Sequence, residues 1–231
     1  MLKSWSHSKL GDFQKCKRLV YLKHVERIPE PERPLPPGKT EHANDRGSRI
    51  HDDCEQFVRG NIPDLTPEAD KFFGVHLMLL REMFKDGLVS LEGEWGMSDT
   101  WEVAEWKTAW LRLKLDAMVM HSKTHATVID YKTGKKWGNE VKHAEQLQLY
   151  QAVTFLRYPH LESVDAQLWY LDQNETTSQV FTRQQGLRFV KNFDNRGKQF
   201  TSNTDWRPNP NVHSCKWCPY NQTEHCTVGV K

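Results

Sequence analysis

The stretch Val128-Ile129-Asp130-Tyr131-Lys132-Thr133-Gly134 decides how this chain is read. It starts as an apolar strand and ends in a carboxylate, then a lysine two positions on, then a glycine. Thirteen residues separate Asp130 from Asp116, which follows a second strand in which Leu111, Leu113 and Leu115 alternate with polar positions. Residues two apart on an extended chain share a face, so Lys132 points where Asp130 points. A single aspartate near a strand end is ordinarily a turn residue. Two of them on successive strands, the second followed by x-Lys, form a more specific pattern. Phosphodiester hydrolysis needs an activated water, a neutralised phosphate and a stabilised leaving oxygen, and a hard cation held by carboxylates supplies all three. Asp116 and Asp130 are placed to hold Mg²⁺ or Mn²⁺. Lys132 is placed to orient the water or offset developing charge.

Working outward, strands are expected over residues 92–97, 111–120, 126–131, 164–171 and 178–181, with a helix over 141–156 and another over 183–200. On the N-terminal side, Leu10, Phe13, Cys16 (or Lys17), Val20 and Tyr21 recur at helical spacing. Ile50, Cys54, Phe57 and Val58 make the apolar face of a second helix. Thr66-Pro67-Glu68 reads as the start of a third, with Thr66 as cap and its end near residue 85. Five prolines within residues 29–37 forbid helix and sheet, so residues 29–40 form an extended connector. The order predicts an α/β core, a mixed sheet flanked by helices. Its expected parts are an N-terminal helical segment (1–28), the connector, a core (41–205) and a cysteine-rich tail (206–231).

The 231 residues are 37% hydrophobic and 27% charged, which fits a folded globular chain and excludes a disordered one. No apolar stretch resembles a signal peptide or spans a bilayer, so a cytoplasmic location is expected. The net charge of +2 argues against a simple DNA-coating protein. Its distribution is uneven: residues 1–27 and 183–231 each carry a local +5, and the middle is acidic. Basic ends suit a grip on DNA and an acidic centre suits divalent metal. No G-x-x-x-x-G-K-[ST] loop is present, so ATP-driven unwinding would need a partner.

Asp116 with Asp130-x-Lys132 resembles the signature of the PD-(D/E)XK nucleases, and Asp130-Tyr131-Lys132-Thr133-Gly134 is similar to its RecB-type form. Two flanking motifs extend the resemblance. Gly47-Ser48-Arg49-Ile50-His51 is similar to a Gly-x-x-x-His helix motif, which implies that His51 is a metal ligand. Gln146-Leu147-Gln148-Leu149-Tyr150 is similar to a Gln-x-x-x-Tyr motif, which implies that Gln146 and Tyr150 contact the scissile strand or support the catalytic groups. The resemblance also implies the Tyr131 carbonyl as a ligand. Glu94 is a further candidate carboxylate, weighed against a solvated strand position.

Five cysteines in a cytosolic chain disfavour disulfides. Cys215-Lys216-Trp217-Cys218 is a chelating pair that fits zinc or iron–sulfur, and Cys226 follows. Ser6-His7-Ser8-Lys9-Leu10-Gly11-Asp12-Phe13-Gln14-Lys15-Cys16 is similar to the opening of iron–sulfur RecB-type nucleases, including CRISPR adaptation exonucleases. That resemblance implies a [4Fe–4S] cluster on Cys16, Cys215, Cys218 and Cys226 that staples the two ends. The seven-residue gap before Cys226 and Lys17 after Cys16 depart from the pattern and leave zinc open, with His213 or His225 as substitute ligands. Cys54 reads as core. The staple would set Arg18, Lys23, Lys191, Arg196 and Lys198 together as phosphate contacts, with Trp5, Trp206 and Trp217 available to stack on bases. Trp217, between two ligands, is the one expected to pack against the cluster instead.

The expected activity is metal-dependent hydrolysis of DNA from an end, on DNA that has a free end or is single-stranded. A helicase, recombinase or CRISPR adaptation protein is the expected kind of partner. The competing reading is a stapled DNA-binding module with a degenerate nuclease core.

Overall fold

The computed structural model describes residues 2–134 and 136–230, with the backbone alone at Glu92. Its centre is a six-stranded sheet in the order β2-β1-β3-β4-β5-β6. The strands are β1 (Val89–Met97), β2 (Val103–Ala104), β3 (Leu111–Met120), β4 (His125–Lys132), β5 (Ser163–Tyr170) and β6 (Glu175–Thr182). Only β4 and β5 run parallel; every other neighbouring pair is antiparallel. A parallel pair needs a long crossover, and here it is the helix α5 (Glu140–Arg157). The mixed α/β architecture is therefore the expected one. The two-residue β2 was not anticipated, because it is too short to show an alternation.

The N-terminal half supplies α1 (His7–Lys15), α2 (Lys17–Val20), α3 (Ala43–Arg59) and α4 (Pro67–Lys85). A π-helical turn, Tyr21–Val25, follows α2. The expected continuous first helix is broken, because Cys16 is extended (φ −162°, ψ 119°) and aims away from the helical path. The expected C-terminal helix is also two, α6 (Arg183–Leu187) and α7 (Val190–Thr201). Thr66 occupies the cap position of α4, yet its hydroxyl makes no capping bond and is buried without a hydrogen-bond partner. The short α8 (Val212–Cys215) lies in the tail.

Three apolar clusters hold these elements. One gathers α1, α5 and α7 against the sheet around Phe13, Leu149, Phe193 and Phe200. A second packs α3 and α4 through Ile50, Cys54, Phe73 and Leu77. Within β3, Leu111, Leu113 and Leu115 belong to the first cluster, whereas Ala117 and Val119 belong to the second. The change falls at Asp116. A small third cluster joins the chain ends through Leu19, Leu22 and Tyr220. There the Tyr220 hydroxyl donates to the Ile28 carbonyl at 2.6 Å. Among the described residues no helix is long and apolar enough to cross a membrane.

The N-terminus is laid along β3. Trp5 bridges Leu111 in parallel, donating to the Trp110 carbonyl at 2.8 Å and accepting from Arg112 at 2.9 Å. Its indole is fully buried, edge-on to Trp101 and Trp110. Trp5 is thus a core residue, a correction to the expectation that it is available to stack on bases. The position is fixed by α7: a Cβ on Gly197 would come within 2.5 Å of the Trp5 indole nitrogen. This docking sets the start of α1 beside the strands that carry Asp116 and Asp130.

Candidate active site

β3 and β4 pair only from Ala117–Ile129 to Met120–Ala126, and their ladder stops there. Past that point the Tyr131 N–H has no strand partner, and the Asp116 Oδ2 accepts it at 2.5 Å. The N–H and C=O of one strand residue point to the same side, so the Tyr131 carbonyl faces the same gap. The Asp116 Oδ1 is 2.9 Å from the His51 Nδ1 of α3. Gly47 permits this approach, since a Cβ there would stand 3.0 Å from the Thr133 Oγ1 beyond the end of β4. Arg46 ties the same helix down by a bidentate pair to Asp172, at 2.8 and 2.9 Å, and a 3.3 Å bond to the Thr133 carbonyl.

Asp130 points toward α5. Its Oδ1 accepts from Gln146 Nε2 and from the Tyr150 hydroxyl, both at 3.0 Å, and Gln146 also donates to Tyr150 at 2.6 Å. The four-residue spacing on α5 thus brings both side chains to one carboxylate oxygen. The Asp130 Oδ2 is buried, and its partner among the described residues is the Lys132 ammonium. His51, Asp116, Asp130, Lys132, Gln146 and Tyr150 are therefore contiguous. Glu94 is not part of this group. It is exposed, opposite Lys114 in the ladder and paired with that lysine at 3.2 Å.

Burial raises the Asp116 pKa, the His51 hydrogen bond opposes the rise, and the Asp130 charge adds to it. Burial alone would lower the His51 pKa, but the bond to Asp116 and the charges of Asp116 and Asp130 outweigh it and the net shift is upward. Tyr150 is held well above its ordinary range by burial and by Asp130, so it stays a hydrogen-bond donor. A buried carboxylate (Asp130), a partly buried one (Asp116) and a carbonyl facing the gap form a donor set that suits a hard divalent cation. Among the described residues, however, no three His, Cys, Asp or Glu side chains already stand close enough to enclose an ion.

Sequence reasoning missed His7, Lys142 and His143, all three of which feel the charge of Lys132. His7 is pushed down to about 4 by burial first and then by Lys142, Lys132 and Arg196. Only its position at the start of α1, fixed by the Trp5 docking, brings it here.

The cysteines form a separate place. Cys16, Cys215 and Cys218 line one cavity of about 360 Å³ with Cys226 and His213. Burial raises the Cys218 pKa, and the charges of Cys226, Cys16 and Cys215 add to the rise against a bond from the Tyr220 backbone. His225 turns its ring to Glu224 at 3.5 Å, and its carbonyl accepts from Arg18 at 3.3 Å. Cys54 is wholly buried in the second core, and burial pushes its thiol up to about 12. Trp217, expected to pack against the ligands, is instead 72% exposed. Trp206 packs on Tyr21 at 5.7 Å. Of the proposed phosphate contacts, Lys23 pairs with Glu30, Arg196 with Glu145 and Lys198 with Asp194, so each already has a carboxylate. Lys191 is exposed.

A family model for the PD-(D/E)XK nuclease superfamily matches residues 4–124 and 111–223. The chain belongs to this superfamily of nucleases. Among solved structures it is similar to the protein SSO0001, at 14% identity and a TM-score of 0.42 over 100% of this chain and 89% of that one. It is also similar to a protein of Eubacterium rectale provisionally named an exonuclease, at 14% identity and a TM-score of 0.47 over 95% and 88%. No curated protein matches it.

Proposed function

We propose that this nuclease is a divalent-metal-dependent DNA exonuclease of the RecB type, acting on DNA that has a free end or is single-stranded, and stapled by a [4Fe–4S] cluster. The observation that carries the catalytic part is the convergence of Asp116, Asp130 and Lys132 where β3 and β4 separate. His51, Asp116, Asp130 and the Tyr131 carbonyl would hold Mg²⁺ or Mn²⁺. The bound cation would neutralise phosphate charge and lower the pKa of water. Gln146 and Tyr150 fix the orientation of the Asp130 carboxylate from α5. Lys132 offsets charge on the phosphate from the same face of β4. The intact Asp-Asp-Lys set favours an enzyme over a degenerate binding module.

The four cysteines on one cavity support the staple. Cysteine-only ligation suits a multi-iron cluster and a single zinc ion alike. The N- and C-terminal segments already meet there: Asn209 N–H lies 3.4 Å from the Cys16 Sγ, and Tyr220 joins Leu19 and Leu22.

The test is a time course on end-labelled single-stranded, duplex and circular DNA with Mg²⁺ or Mn²⁺, beside Asp130→Asn. Cleavage of the linear strands that is lost in the variant by about 10³-fold is expected. Wild-type cleavage by Asp130→Asn would remove the assignment, and cutting of circles would replace exonuclease with endonuclease.

A further inference from the structure

A groove of about 530 Å³ runs from Lys132, Gln146 and Tyr150 along the start of α1 to the turn between β2 and β3. That turn presents Trp106. It is closed by the Glu105 carbonyl, which accepts from Thr108 at 3.1 Å and from Ala109 at 2.9 Å. The indole is only half-buried, and the Arg112 guanidinium lies over it, 5.5 Å from the ring. Arg112 is itself held by a 2.8 Å bond to the Lys107 carbonyl, while its Nε is buried without a hydrogen-bond partner.

The charge along the groove is unbalanced. Lys132 has Asp130 and Lys114 has Glu94. Lys9, Arg112 and Lys142 line the same walls, and among the described residues none of the three has a carboxylate within ion-pair distance. Burial and then Arg112 lower the Lys9 pKa. Burial, Lys15 and Lys132 lower that of Lys142, with Asp12 opposing. Cations crowded in this way are relieved by an anion entering between them. A flat ring at one end and unpaired cations leading to the reaction centre match a strand that alternates bases with phosphates. A duplex would keep its base faces stacked inside and could not use the ring.

We propose that Trp106, backed by Arg112, is the platform on which an unpaired base beside the scissile phosphate stacks, while Lys9, Arg112 and Lys142 hold the phosphates of that strand. This makes Trp106 a specificity-determining residue, and it rests on the reading of Asp116, Asp130 and Lys132 as the DNA-cleaving centre.

The test measures binding by the full chain carrying Asp130→Asn. The probes are a labelled single-stranded oligonucleotide, its duplex and a single strand of abasic residues. Adding Trp106→Ala is expected to weaken single-strand binding about tenfold, with no loss on the duplex or the abasic strand. Trp106→Phe is expected to retain most of the affinity, which separates stacking from misfolding. Adding Lys142→Ala is expected to weaken binding to all three probes and to lower the salt dependence by about 0.7 in slope on the single strand. Unchanged single-strand affinity in Trp106→Ala, or an equal loss on the abasic strand, overturns the platform. Because binding is read without cleavage, the two readings fail separately. A wild type that cuts no DNA but binds bases through Trp106 would sink the nuclease reading alone.

Discussion

The Asp116 side chain accepts the backbone N–H of Tyr131 at the point where β3 and β4 part. A carboxylate thereby takes the place of a ladder carbonyl. The separation opens the gap, and the same bond fixes one wall of it. Asp116 is thus both a structural acceptor and the group that faces His51.

His51 reaches the strands through this carboxylate and through an edge-on ring contact with Tyr131 at 5.6 Å. In His51→Ala the hydrogen bond is lost but both aspartates remain. Titrating Mn²⁺ against cleavage is expected to show a midpoint raised about 10- to 100-fold, with activity recovered at saturation. A superimposable titration curve would return His51 to a packing role.

Tyr150 and Gln146 share one oxygen of Asp130. Tyr150→Phe removes a buried donor without opening a cavity, and stability is expected to fall by about 1–2 kcal/mol. Cleavage is expected to slow about 10- to 100-fold, the usual cost of releasing a ligand's supporting bond. Because Gln146 also bonds Tyr150, the double variant with Gln146→Leu should lose less than the two single losses combined. Strict additivity in single-turnover rates would show that the two act independently.

The proposed staple would close about two hundred residues of chain, and such a link restricts the unfolded state by on the order of 4–5 kcal/mol. Anaerobically purified protein is expected to be brown, with iron and sulfide in equal amounts. Cys226→Ala should melt about 10 °C lower and bind DNA more weakly, with the choice of catalytic metal unchanged. Stoichiometric zinc without iron would replace the cluster and keep the staple. No metal, with unchanged melting, would remove both.

His143 gives the fold an acid-sensitive term. Its ring bonds the Tyr170 hydroxyl at 2.7 Å, and its pKa is lowered to about 4 by burial and then by Lys132 and Lys142. The unfolded chain, titrating near 6.5, takes up the proton first, so stability is full above about pH 6.5 and falls as pH drops toward 4. His143→Asn should therefore gain stability relative to wild type on acidification across that window. Parallel melting curves for the two proteins from pH 7 to 4.5 would remove His143 from the acid response.

Much of the architecture was legible because strands and helices announce themselves by period. Leu111, Leu113 and Leu115 alternate, and Ile50, Cys54, Phe57 and Val58 keep helical spacing; both sets are buried. Breaks were not legible where a single backbone angle decides them, as at Cys16, or where a strand has two residues, as at Val103–Ala104. Gln146 and Tyr150 could be paired in advance because the α-helix fixes the geometry of residues four apart.

What the sequence determined by itself was the set of local relations: which residues share a face, which carboxylates close strands and which cysteines are close neighbours. What only the tertiary structure decided was which of these distant pieces meet. Trp5 looked like an aromatic for bases and is core, because the N-terminal segment pairs beside β3 and Gly197 leaves room for the indole. That docking carries His7 and Lys9 to the groove, and the end of the β3–β4 ladder opens it. Both depend on contacts between residues far apart in the chain, whose free energy comes from packing many side chains at once and leaves no periodic mark on the sequence.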